Sequence, residues 1–110
     1  MGLAFKENVP DLRNSRVIDV IRRLEALGHE VTVHDPLADA GEAQHEYGIG
    51  LAEDALDRRY DLVVVAVPHA AYGELSGGQV AALVSEGGML ADLKNFYKDH
   101  DLANVRRWTL

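Results

Sequence analysis

Asp61-Leu62-Val63-Val64-Val65-Ala66-Val67 is apolar at both alternating sets of positions and rich in valine. A strand with no polar face has to be covered by helices on both sides, as in a parallel α/β sheet. Pro68 follows at once and, lacking an N–H, closes the strand. Around this run, short β-branched segments alternate with longer amphipathic ones, the pattern of βαβ units. Downstream, helical pieces are expected over residues 69–73 and 78–85. Gly87-Gly88 turns into a strand at Met89–Asp92, residues 94–100 read as a polar loop, and residues 105–110 as a last strand with Trp108 its large apolar residue.

Upstream, residues 51–59 read as a helix with Glu53 and Asp54 near its positive end. Gly48-Ile49-Gly50 reads as a small edge strand and residues 38–47 as a short helix. Residues 30–34 form a second strand, ended by Asp35-Pro36. Before it, Asn14 or Ser15 can cap a helix running to about Leu27, with Val17, Ile21 and Leu24 on its apolar stripe and Asp19–Arg23 as an i,i+4 pair. Gly28 supplies its left-handed stop. Gly2–Phe5 reads as the end of a buried strand, short for a central one, which points to a chain cut from a longer protein. The expected fold is α/β: three layers and a doubly wound, mostly parallel sheet of five to six strands.

The chain has 110 residues, enough for one domain with one core. It carries 18 acidic against 11 basic residues, a net charge of −7, which disfavours nucleic acid or an anionic membrane as partner. It has no cysteine, so disulfides, thiolate metal sites and a cysteine nucleophile are excluded within it. The longest apolar run is far too short to span a bilayer and no signal-peptide pattern opens the sequence, so a cytoplasmic location is expected.

Residues 6–13 form a polar loop between the first strand and the first helix. In open α/β sheets ligands bind beyond the carboxyl ends of the strands. Lys6, Arg13 and a helix N-terminus there make an anion site in outline, against the plainer reading of charges paired with Glu7 and Asp11. The dinucleotide fingerprint G-x-G-x-x-G is missing from this turn, because Leu3, Ala4, Phe5 and Lys6 follow Gly2. Asp35 can hold a ribose hydroxyl or form an Asx turn, and His69 sits at a strand end. The remaining histidines show no metal-ligand spacing, and no catalytic acid–base pair or triad can be assigned.

The Phe5, Lys6, Asp11, Arg13 and Ser15 pattern, embedded in Gly2–Ser15, resembles the opening motif of the UDP-binding C-terminal domain in the UDP-glucose/GDP-mannose dehydrogenase family. Val33-His34-Asp35-Pro36, Val67-Pro68-His69 and Asp92-Leu93-Lys94-Asn95 extend the likeness over essentially the whole chain. The Glu7–Asn14 wording is most similar to the UDP-N-acetylhexosamine branch, which serves bacterial surface-polysaccharide synthesis. The resemblance implies a Rossmann-like domain whose parent oxidises a sugar C6 hydroxyl to a carboxylate in two NAD-dependent steps. It also implies an N-terminal NAD domain and a central helical dimerisation segment as partners. It assigns Phe5 and Lys6 to the UDP-sugar, Arg13 to the NAD side of the cleft, and a substrate-binding basic residue to Lys94, with Asn95 the neighbouring alternative. Asp11 is implied to orient Arg13 or the loop amides. The family's covalent step needs a cysteine, so this chain alone is not expected to turn over. A stand-alone regulatory domain for a phosphorylated ligand is the alternative. A receiver domain is opposed by Phe5-Lys6 and Val67-Pro68-His69 where it needs acids, and a complete nicotinamide domain by the missing glycines.

Overall fold

The computed structural model describes residues 1–102 and 104–110. Strands β1 (Tyr60–Val65), β2 (Val84–Asp92) and β3 (Arg106–Trp108) form a parallel sheet in that order. Helices α1 (Val17–Ala26), α2 (Ala40–Tyr47), α3 (Ala70–Gly73) and α4 (Gly77–Ala82) and a 3-10 turn at Ala55–Asp57 connect the rest. The architecture is the expected α/β one, with three regular strands among the described residues where five to six were anticipated.

Two further segments continue the sheet outward from β1 without forming ladders. The Met1 carbonyl accepts from the Ala66 N–H at 2.9 Å, and the Gly2 N–H donates to the His34 carbonyl at 2.8 Å. Val33 makes a single parallel bridge to Leu51. The chain therefore starts in the middle, passes through α1 to residues 31–34 on one side, then crosses to β1 on the other. That reversal is the topological switch of a doubly wound sheet.

Two buried clusters hold the layers. Val63, Val65, Leu90, Tyr72, Val80 and Tyr97 pack against one face of the sheet. Leu3, Leu12, Ile18, Ile21, Val33 and Ala43 join the first loop to α1 and α2. In β1 the two faces differ: Val63 and Val65 are buried, whereas Leu62 is 43 % exposed, so one face of this strand is more fully covered than the other.

Several elements depart from the sequence reading. The first helix starts at Val17 with Arg16 at its N-cap and no side-chain cap. Ser15 uses its hydroxyl on the Leu3 carbonyl at 2.6 Å, and Asn14 is left-handed with φ 61°. Asp19 meets Arg16 at 3.5 Å rather than Arg23. Residues 30–34 form no regular strand: Val33 makes a single bridge on one edge, and on the other the His34 carbonyl accepts one bond from the Gly2 N–H. Gly48–Gly50 stays irregular, the bridge coming at Leu51. Residues 51–59 give only the 3-10 turn: Ala55 alone is fully buried, so no apolar stripe holds a longer helix. Trp108 is 47 % exposed on an edge strand whose residues are all exposed.

Candidate functional site

The switch point brings together the loop after the first segment, the end of β1 and the turn after residue 34. Asp35 is the hub. One carboxylate oxygen accepts from the Leu3 N–H (2.7 Å), the Ala4 N–H (3.0 Å) and His69 Nε2 (2.9 Å). The other accepts from the Leu37 and Ala38 N–H groups at 2.8 and 3.0 Å. Burial works to raise the Asp35 pKa, but the donors from Leu3, His69, Leu37 and Ala4 outweigh it and hold the carboxyl at about 2. Asp35 is thus an Asx turn and a buried anchor, and its side chain is not open to a ribose.

His69 is also fully buried. Its Nδ1 accepts from the Asn8 N–H at 2.9 Å, so the ring proton lies on Nε2, facing Asp35. Asn8 Oδ1 accepts in turn from the Ala70 N–H at 2.6 Å. The tip of the 5–13 loop is therefore tied at two points to the end of β1. Its base is closed by Phe5 N–H donating to the Asp11 carbonyl at 2.7 Å, and by Leu12, wholly buried, whose carbonyl accepts from the Tyr47 hydroxyl at 2.6 Å. A second buried set lies beneath: His34 Nδ1 donates to Tyr72 Oη at 2.8 Å, and that hydroxyl donates to the His34 carbonyl. Burial pushes the Tyr72 hydroxyl pKa upward and the His34 pKa downward.

What this frame presents to solvent are the residues singled out in the sequence. The Phe5 ring is 53 % exposed and Lys6 is exposed beside it. Arg13 is exposed and clamped by Asp11, with Nε to Oδ1 and Nη2 to Oδ2 both 3.0 Å. The Asp11 carboxyl is lowered chiefly by its hydrogen bond from Arg13, and the Arg13 pKa is raised by the same bond. Lys94 is exposed on the turn after β2, where the Asp92 carboxylate accepts from the Phe96 and Tyr97 N–H groups at 2.9 and 2.8 Å. That turn lies on the same carboxyl edge, two strand positions or roughly 10 Å from the first segment by inter-strand spacing. The histidine–aspartate anchor was not singled out as a pair, because its members lie 34 residues apart and meet only in the fold. Among the described residues, no three His, Asp or Glu side chains converge as a metal site.

The Gly2–Lys6 turn does not fit a dinucleotide. A Cβ placed on Gly2, which has φ 90°, would lie 2.5 Å from Val67 Cβ, so this glycine serves contact with the neighbouring strand and not with a pyrophosphate. Leu3 and Ala4, buried beside it, leave no phosphate cradle there.

Known proteins resemble this chain along most of its length. Residues 1–99 match the UDP-glucose/GDP-mannose dehydrogenase family, UDP binding domain. The chain is 38 % identical over 106 residues to a UDP-N-acetyl-D-glucosamine 6-dehydrogenase of Pseudomonas aeruginosa, covering 96 % of this chain and 25 % of that protein. It is 39 % identical over 111 aligned positions to Protein CapL of Staphylococcus aureus, covering 100 % and 26 %. A UDP-N-acetyl-D-glucosamine 6-dehydrogenase of Salmonella typhi is 36 % identical over 94 residues, or 86 % and 22 %. The chain spans about a quarter of the length of these curated relatives.

Proposed function

Because the chain belongs to the UDP-glucose/GDP-mannose dehydrogenase family, we propose that it is the UDP-sugar-binding module of an NAD-dependent nucleotide-sugar 6-dehydrogenase, supplying a polysaccharide precursor in the cytoplasm. The substrate class is a UDP-N-acetylhexosamine, after the activity for which two of the relatives are named. The observation that carries this reading is the 5–13 loop, fixed from within at the switch point while Phe5 and Lys6 stand free.

In this reading the Phe5 ring lies against the uracil and the Lys6 ammonium meets the diphosphate or the sugar. Lys94 adds a second cation from the next turn. Arg13 reaches toward NAD, which is bound by other parts of the parent, since the Gly2–Lys6 turn does not fit it. Bound to those other parts, NAD would supply the acceptor for the hydride removed at the sugar C6. The thiol for the covalent step also lies outside this chain, which has no cysteine. The NAD-binding and central helical parts are thus the partners that complete the cleft.

Calorimetric titration with UDP and with inorganic phosphate tests this. UDP binding that is stronger than phosphate binding is expected, together with no NAD reduction by the pure chain in the presence of UDP-N-acetylglucosamine. Equal affinity for the two, or measurable turnover, overturns the reading.

A further inference from the structure

Tyr97 is wholly buried, and its hydroxyl donates to the Tyr72 carbonyl at 2.7 Å. That carbonyl also accepts from the Leu75 N–H at 3.3 Å. A phenylalanine at position 97 would therefore leave no buried acceptor without a partner, so satisfying the backbone does not by itself call for a tyrosine here. Burial, and then the nearby Asp92 charge, push the Tyr97 hydroxyl pKa upward, so the group stays a donor across the neutral range.

The two partners belong to different sides of the candidate site. Tyr97 closes the turn that carries Lys94. The Leu93 N–H donates to the Val65 carbonyl at 3.2 Å, and Asn95, left-handed with φ 54°, donates its N–H to the Asp92 carbonyl at 3.0 Å. Tyr72 belongs to α3, a single helical turn that is too short to be stable without tertiary contacts. One end of α3 supports the 5–13 loop, through the Ala70 N–H on Asn8 Oδ1 and through His69 on the Asn8 N–H. The other end supports residues 92–101. A Cβ on Gly73 would lie 3.2 Å from Phe96 Cζ, and His100 Nε2 donates to the Leu75 carbonyl at 3.3 Å.

We propose that Tyr97 is a positioning residue of the ligand site, whose hydroxyl bond to α3 fixes the Lys94 turn against the 5–13 loop. In this arrangement α3 is a bracket between two exposed cations, Lys6 on one loop and Lys94 on the next. Held at a set separation, the two meet the nucleotide sugar without a further cost of ordering the loops that carry them. The inference rests on the UDP-sugar reading for the roles of Lys6 and Lys94, and adds the residue that joins them.

The test is a double-mutant cycle. Tyr97→Phe, Lys94→Ala and the combined variant are titrated with UDP-N-acetylglucosamine by NMR shift, alongside thermal melts. Tyr97→Phe should weaken binding roughly 3-fold or more, with Tm lowered by about 5 °C or less. In the Lys94→Ala chain the same substitution should lower Tm as before but cost no further affinity, because its effect on binding passes through Lys94. Amide exchange at Asn95 and Phe96 should quicken in Tyr97→Phe, and that at Asn8 should not. Wild-type affinity in Tyr97→Phe overturns the inference, as does unchanged exchange at both turn amides. So does an equal loss of affinity in both backgrounds, which is what a folding defect gives. Unchanged affinity in Lys94→Ala removes Lys94 and this inference together, and leaves the Phe5–Lys6 reading in place. A wild-type chain that takes up no UDP-N-acetylglucosamine ends that reading and the inference that rests on it.

Discussion

His69 Nε2 lies 2.9 Å from Asp35 Oδ2, with neither side chain exposed, and the opposite nitrogen of the same ring holds the Asn8 amide. One imidazole thereby links the buried anchor of the domain to the loop that carries Phe5, Lys6 and Arg13. The two bonds can be separated by substitution. An asparagine places its amide near Nδ1, and a glutamine places its amide near Nε2.

His69→Asn is expected to keep the Asn8 contact and near-native UDP affinity at some loss of stability. His69→Gln is expected to keep the Asp35 contact and weaken UDP by roughly 5-fold or more, the value of about one hydrogen bond. Affinities measured alongside Tm check this. Equal losses of affinity in both variants would assign His69 to stability alone.

Asp35 sets the acid limit of the fold. Its carboxyl titrates at about 2 in the folded chain against 3.8 for the free side chain, so between these values the unfolded state binds more protons. The stabilisation is complete above pH 3.8 and is lost as pH falls through about 2. Asp35→Asn should remove this part of the acid profile and destabilise the chain at pH 7 on the order of 3 kcal/mol, because His69 and four N–H donors lose their anion. Urea melts at pH 7 and pH 3 check both statements.

Gly2 and Gly28 have nearly the same φ, 90° and 93°, but different surroundings. A Cβ on Gly28 meets nothing within 4 Å, whereas one on Gly2 meets Val67 at 2.5 Å. Gly28→Ala should lose about 1 kcal/mol for backbone conformation alone. Gly2→Ala should lose about 2–4 kcal/mol, overpacking being added. Thermal melts of the two variants separate the effects, and equal losses would remove the tight approach of Gly2 to Val67.

Phe5→Ala and Lys6→Ala alter exposed side chains and should leave stability within about 0.5 kcal/mol. UDP affinity should fall in each by about 1–3 kcal/mol, from lost stacking on the base in the first and a lost charged hydrogen bond in the second. Calorimetry on both variants decides whether the two side chains belong to the site.

Much of this was legible from residue order. The valine run at 61–67 pointed to the parallel sheet, and the Phe5–Ser15 pattern pointed to the family. What was not legible depended on contacts made across the chain. Ser15 looks like a helix cap until its hydroxyl is taken by Leu3. Asp35 looks like a ribose acid until five donors surround it. Residues 30–34 have strand composition but only isolated contacts, one bridge from Val33 to Leu51 and one bond from Gly2 to His34, because a strand is defined by its neighbours. The helix anticipated at 51–59 is cut short as the chain enters β1, where the Tyr60 N–H is taken by the Leu83 carbonyl and the Tyr60 hydroxyl by Ala55.

The most direct test of the central claim is an NMR titration of the 110-residue chain with UDP, followed residue by residue. The account predicts saturable shifts at residues 5–13, with smaller ones at the end of β1 and in the turn holding Lys94, and none around β3. Shifts confined to other surfaces, or none in the 5–13 loop at saturating UDP, would contradict it.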